Sequence, residues 1–318
     1  MKFNALILLF KNVIRSFLFA TIILSFESCV GQDNTKQRSK QSEKKESNFQ
    51  HSTTSSLKLI AELNVKVKET SGLALINQFL LTHNDKGRSN QLFLLHYESG
   101  EIVHSLEVTN NENHDWEDLA ESDENIFIGD MGNNEGERIN LAIYIVPKKQ
   151  INLENTQVKS SGSINFTYPD QKEFDISKKH NFDCEAILYF NHQLYLFTKN
   201  RLDDKTNLYV LPETPGNYVA KFLGSFEVGG RITGADISPD GKRIALIGYN
   251  KKSDCFLWTF DGFSGDHFFD GKSKYFNLGA YAQAGQIEGI VFKNNKELYI
   301  SSEEIANVRA RLYLLAIE

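Results

Sequence analysis

One short phrase recurs five times along this chain, and that recurrence constrains the fold more than any other feature. A small or acidic residue, one further residue, then Leu or Ile open an apolar run. The phrase reads Ser71-Gly72-Leu73, Glu117-Asp118-Leu119, Glu185-Ala186-Ile187, Ala235-Asp236-Ile237 and Glu288-Gly289-Ile290. Its starts lie 46, 68, 50 and 53 residues apart. A unit of this size built from short strands cannot bury both its faces alone, so copies must stack on one another.

Each phrase heads a predicted strand, and two more follow it. Second strands are predicted at 79–81, 126–128, 194–197, 244–247 and 298–300, and third strands at 92–95, 141–144, 208–211, 256–258 and 312–314. The runs are short, alternating or apolar, and separated by Gly, Asn and Asp, with no sustained helical period. The first four units add a fourth strand, as at 163–167, whereas the fifth stops at Glu318 without one. An orphan strand at 58–66 precedes the first phrase. It supplies the missing fourth strand if the sheets close into a ring. The expected fold is therefore all-β: a five-bladed β-propeller closed by an N-terminal strand, which leaves only short, protected edges. The alternative is six blades, with the 68-residue second unit concealing one around a polar insertion at 150–157.

Fold reasoning begins at Leu57 because what precedes it has another character. Lys2, Lys11 and Arg15 are followed by the apolar stretch FLFATIILSF at 17–26, then Ser28-Cys29. That stretch has the length of a signal-peptide core and is short for a bilayer span. Residues 1–28 are accordingly read as a signal peptide. Residues 29–56 are read as a lipidated Cys29 followed by a polar, Ser/Lys/Gln-rich flexible linker, and 57–318 as the propeller. A small residue before a cysteine resembles a bacterial lipoprotein signal, with an ordinary secretory signal or an uncleaved anchor as the alternatives. The resemblance implies a cell-envelope protein held to the membrane by lipid, at the outer membrane in a Gram-negative cell. Cys184 and Cys255 stand alone in strand-like text and are expected to be buried thiols.

Charge narrows the partners. The whole chain carries −6, residues 1–28 carry +2 and residues 30–56 a further +2, so the remainder carries −10. That sign repels phosphate backbones, and no nucleic-acid partner is expected. Cations, or ligands that need carboxylates, fit better. The partner is expected to be a small ligand or an envelope protein, and the chain to act as a monomer.

In a propeller the first strand of each blade lines the axis, and the loop after the second strand opens on the same face. Ser71, Glu117, Glu185, Ala235 and Glu288 should therefore ring the mouth of the central channel. Asn84, Asp85, Asp130, Asn133, Lys199, Asn250 and Glu303 should stand around them. Three glutamates on a narrow channel raise one another's pKa values, so protons, a basic neighbour such as Lys199, or a cation must compensate. Carboxylate and amide oxygens without sulfur suit a hard ion, and Ca²⁺ held by Glu117, Glu185 and Glu288 fits better than zinc. The other reading is structural, with each glutamate accepting backbone N–H bonds from the next blade.

These phrases, in this order, resemble the blade motifs of the SdiA-regulated family, whose members resemble distant NHL-repeat proteins. The resemblance covers about residues 57–318. It implies a five-bladed propeller with a calcium ion and no established reaction, with Glu117, Glu185 and Glu288 as axial acidic positions and Ser71 as the small polar one. At Ala235 this chain departs from the pattern, which favours Ser. The stretches Asp115-Trp116-Glu117-Asp118 and Gly129-Asp130-Met131-Gly132-Asn133-Asn134 also resemble propellers of the Bacteroidetes envelope. Ser238-Pro239-Asp240-Gly241 is a tight-turn sequence that also resembles a feature of gluconolactonase-type propellers. The second functional reading is thus a metal-dependent hydrolase, lactonase-like or phytase-like. Such an enzyme needs a base within reach of metal-bound water. A phytase would also gather Lys and Arg at the mouth, where only Lys199, Arg201 and Arg138 are on offer.

Overall fold

The period-2 alternation of side chains explains why the predicted strands read as nearly unbroken apolar runs. Each inner strand of a blade has one face in each of two seams, so both of its faces are buried, while outermost strands such as Lys221–Phe226 are largely exposed. In the computed structural model, which describes residues 50–54, 56–85, 87 and 89–318, the second strands show this directly. Ile126 and Ile128 point into the seam between blades 1 and 2, and Phe127 into the seam between blades 2 and 3. Leu194 and Leu196 enter the seam with blade 2, while Tyr195 and Phe197 enter the seam with blade 4. Five apolar clusters result, one in each seam, the fifth joining Leu80, Phe93 and Leu95 of blade 1 to Val291, Tyr299 and Leu312 of blade 5. Emptying one such position, as in Phe127→Ala, is expected to cost about 3–5 kcal/mol.

Blade 1 is Thr70–Ile76, Phe79–Asn84, Gln91–His96 and Ile102–Val108; blade 2 is Trp116–Glu121, Asn125–Asp130, Leu141–Pro147 and Gly162–Thr167. Blade 3 is Cys184–Phe190, Gln193–Thr198, Thr206–Pro212 and Lys221–Phe226; blade 4 is Arg231–Ile237, Arg243–Tyr249, Asp254–Asp261 and Lys272–Ala280. Blade 5 takes Gln286–Asn294, Glu297–Glu303 and Arg311–Ala316 from the C-terminal end, and Lys58–Glu62 as its outermost strand. Lys58 pairs with Leu314 and Glu62 with Arg311, antiparallel. The propeller has five blades and is closed by the N-terminal strand.

That strand is shorter than the 58–66 expected. It ends at Glu62, and Asn64 then caps a 3₁₀ turn, Val65–Val67, by accepting from Lys66 N at 3.0 Å. The long second unit conceals no sixth blade. Its insertion forms a 3₁₀ turn, Lys148–Gln150, and a two-residue strand, Gln157–Val158, which adds parallel to the outer edge of blade 1. Gly216–Val219 does the same for blade 2, and Gln50–Thr54 for blade 4. In each case one extended stretch pairs first with one blade and then becomes the fourth strand of the next. Gln50–Thr54 falls within the stretch read as linker. The signal segment, Cys29 and the rest of the linker lie outside the described residues. Among the described residues no helix is long and apolar enough to cross a membrane.

A candidate cation site at the axial mouth

The recurrent phrase marks a β-bulge. Pairing with the second strand skips one residue at Glu117, Glu185 and Glu288, and an extra residue there kinks the strand and turns its side chain toward the channel mouth. In blade 4 the skipped residue is Thr233, between Ile232 and Gly234. This corrects the expectation for Ala235, which lies two residues further down the strand and is buried. The ring thus carries two hydroxyls and three glutamates. Both hydroxyls are tied to backbone: Ser71 Oγ donates to Glu117 O, and Thr233 Oγ1 donates to Ile287 O at 2.7 Å.

The residue after each bulge meets the crowded axis, and four of these five are Gly or Ala. A Cβ at Gly72 would lie 2.7 Å from Leu119 N, and one at Gly234 would lie 2.5 Å from Glu288 O. Asp118 is the exception. Its carboxylate accepts Leu119 N at 2.8 Å, Ile187 N of blade 3 at 2.9 Å and Ala235 N of blade 4 at 3.4 Å. Three blades meet on one side chain. Asp236 similarly accepts Phe292 N of blade 5 at 2.6 Å. Both aspartates thus pin blades together.

Above Asp118 opens a cavity of about 270 Å³. Ser71, Asp85, Glu117, Glu185, Lys199, Glu288 and Glu303, all singled out from the sequence, line it, together with Asn134, Arg201, Tyr249 and Gln286. Asn84, Asp130, Asn133 and Asn250 do not. Asn84 bonds Glu69 N and Lys66 O, while Asn250 organises its own turn through Asp254 N and Lys252 N. Asn133 clamps blade 2 to blade 3: its N–H donates to Asp183 Oδ1 at 2.7 Å and its amide to Phe182 O at 3.0 Å.

Asp130 holds the wall from behind. It accepts Asp115 N, His114 Nδ1, Tyr144 OH and Arg138 Nη2 at 2.8–3.1 Å. Carboxylate oxygens of Asp85, Asp115 and Glu117 consequently lie within 4.8 Å of one another, with Asp115 and Glu117 buried. Gly132 closes the cradle, since a Cβ there would lie 2.6 Å from the Asp115 carboxyl and inside contact distance of Glu117 Oε1. Asp115 was not singled out as a ligand from the sequence, although it stands two residues before Glu117; it precedes the strand Trp116–Glu121, and the bulge at Glu117 breaks the alternation that would have linked the two.

The far wall balances its charge differently. Lys199 Nζ lies 2.8 Å from Glu185 Oε2, both side chains buried, and 5.7 Å from the Tyr249 ring centroid. Gln286 Nε2 donates to Glu288 and, at 2.9 Å, to Glu303, while Gln286 Oε1 accepts from Tyr281 OH. Arg201 is held by Asp183 and Asn134.

Burial pushes the Glu117 carboxyl well up, reinforced by Glu185, Asp85 and Asp115. Burial also raises Glu185 to about 8, in spite of the Lys199 ammonium, and Glu303 to about 7. Glu288 is raised for the same reason. Burial alone would lower Lys199, but Glu185 and Glu288 more than offset it and hold its pKa up.

The remaining features noted in the sequence are structural. Trp116 is fully buried in the seam of blades 1 and 2, edge-on to His83, whose burial lowers its pKa to about 4. Ser238 to Gly241 form a turn on the opposite face, closed by Gly241 N donating to Ser238 O at 2.7 Å. Cys184 and Cys255 are buried free thiols.

No protein-family model matches the chain, and no curated protein matches it. Among solved structures it is similar to Kuenenia stuttgartiensis hydrazine synthase, at 12% identity over 73% of this chain, with a TM-score of 0.39. The match covers 61% of that chain, so this protein spans less than two thirds of its length. It is also similar to a chain of the mitotic checkpoint complex, at 10% identity over 78% of this chain and 75% of that one, with a TM-score of 0.40.

Proposed function

We propose that this protein is a cell-envelope lipoprotein of the SdiA-regulated type whose propeller binds Ca²⁺ at its axial mouth and presents that face to a ligand or partner. The observation that carries the cation reading is the approach of Asp85, Asp115 and Glu117 to within 4.8 Å in a buried cradle. An all-oxygen donor set without His or Cys suits a hard ion, and Gly132 leaves the space that a side chain would fill. These three carboxylates would hold the ion, with Glu185 and Glu288 across the cavity in the field of Lys199. The ion would supply the positive charge that relieves their mutual repulsion. Envelope location rests on Cys29 behind its apolar stretch.

Calorimetry on metal-stripped protein tests the cation. Binding heat and a raised melting temperature are expected, since a ligand at 100 times Kd stabilises the folded state by about 2.7 kcal/mol. No heat at millimolar calcium and unchanged melting would refute it. Cys29→Ser should abolish fatty-acid labelling and membrane retention, and unchanged labelling would defeat the anchor.

A metal-dependent hydrolase is the second reading, favoured by Glu303. A carboxyl with a pKa raised to about 7 beside a cation cradle has the protonation behaviour of a general base or acid. Calcium-dependent turnover of a lactone or phosphate ester that disappears in Glu303→Gln would establish it.

A further inference from the structure

We infer that the axial cavity takes a neutral, hydroxyl-rich small molecule bound through adjacent hydroxyls, a sugar or polyol; the inference rests on the cation reading above. The lining offers almost no apolar wall apart from the Tyr249 ring, so burial of hydrocarbon cannot drive binding. The volume of about 270 Å³ equals about nine waters at roughly 30 Å³ each, room for a molecule of monosaccharide size.

Charge decides among polar ligands. Six carboxyls face or back this space: Asp85, Asp115, Glu117, Glu185, Glu288 and Glu303. The two basic groups are already engaged, Lys199 with Glu185 and Arg201 with Asp183. An ion bound in the cradle favours the ionised forms, and with the six carboxyls ionised one divalent charge leaves the site acidic on balance, so a phosphate or carboxylate ligand would meet repulsion. A hydroxyl escapes that conflict because it donates and accepts at once. Its proton can go to Glu288 or Glu303, and its lone pairs can enter the coordination shell of the ion. Calcium takes six to eight oxygens. Three carboxylates fill that number only if every one of them binds through both oxygens.

The two walls are also arranged for a bridging ligand. The cradle lies on blades 1 and 2, and the Gln286-linked pair of Glu288 and Glu303 on blade 5. A small polyol could span the cavity between them.

The test is a titration of the calcium-saturated full chain with D-glucose, D-galactose, D-sorbitol and myo-inositol, followed by saturation-transfer NMR and calorimetry. Inositol monophosphate serves as the charged counterpart. At least one neutral polyol is expected to bind in calcium and to weaken at least tenfold in EDTA. Glu303→Ala should weaken it at least tenfold as well while keeping the calcium-induced melting shift, which shows that the fold and the cradle survive. A full calcium shift with none of the four polyols binding, or with the phosphate binding more tightly than its neutral parent, overturns the ligand class and leaves the cation reading standing. A missing calcium shift overturns the cation reading itself.

Discussion

Glu117 and Asp118 are neighbours in one strand, both buried and acidic, yet their surroundings differ in kind. Asp118 is met by three backbone N–H groups from three blades. Glu117 is met chiefly by other carboxyls: Glu185, Asp85 and Asp115. The first arrangement offsets with fixed dipoles of the fold part of the burial that pushes the Asp118 carboxyl up, whereas the second adds the repulsion of neighbouring carboxyls to burial. A one-residue step along a bulged strand thus separates a carboxyl met by backbone N–H groups from one faced by other carboxyls, and sequence adjacency says nothing about which is which.

The most severe test of that contrast is Asp118→Ala. It strands three buried N–H donors at the axis, and a loss of about 3–5 kcal/mol is expected in chemical denaturation. A variant as stable as the parent would show that the axis is not held by this carboxylate.

The matching change at the neighbour should act in the opposite direction. Glu117→Gln removes one charge from a crowded set, so the calcium-free protein should melt about 2–4 °C higher, the range for a 1 kcal/mol gain in a chain of this order. It should also lose most of the calcium-induced stabilisation. Destabilisation in EDTA would make Glu117 a pin like Asp118.

Next in size is the pH response. Glu185 and Glu303 have folded-state pKa values raised to about 8 and about 7 from an ordinary 4.5. Stability tied to their protonated forms is complete below pH 4.5 and is lost as pH climbs through 7 and 8. Calcium-free protein should therefore melt lower at pH 9 than at pH 6, and Glu303→Gln should flatten the slope. A melting temperature constant across that window would contradict the raised values.

The smallest effect belongs to the ring hydroxyls. Thr233→Val leaves Ile287 O without its 2.7 Å donor and should cost about 1 kcal/mol, with no change in calcium affinity. A changed affinity would bring Thr233 into the site.

The ring of strands was legible in the sequence because its cause is local and repeated. Each bulge phrase had to be followed by strands buried on both faces, so apolar runs and turn residues recur with the blade, and Lys58–Glu62 was recognisable by having no other place to pair. The site was legible in part for the same reason: Glu117, Glu185 and Glu288 sit at one structural position repeated by the blade. Register in blade 4 was not. Ala235-Asp236-Ile237 fits the recurrent phrase and Thr233-Gly234-Ala235, ending in Ala, does not, and only pairing with Arg243–Tyr249 puts the bulge at Thr233.

What the tertiary structure alone decided is the partner of each charge. Asp85, Asp115 and Glu117 come from two blades, Lys199 meets Glu185 through the pairing within blade 3, and Asp118 reaches blades whose chains begin more than sixty residues later. The sequence by itself determined that Glu117, Glu185 and Glu288 would share one repeated position, because that position follows from the blade. Which of them are paired, which are pinned and which are left to face one another depends on distances of a few ångströms across the axis, and those exist only once the ring has closed.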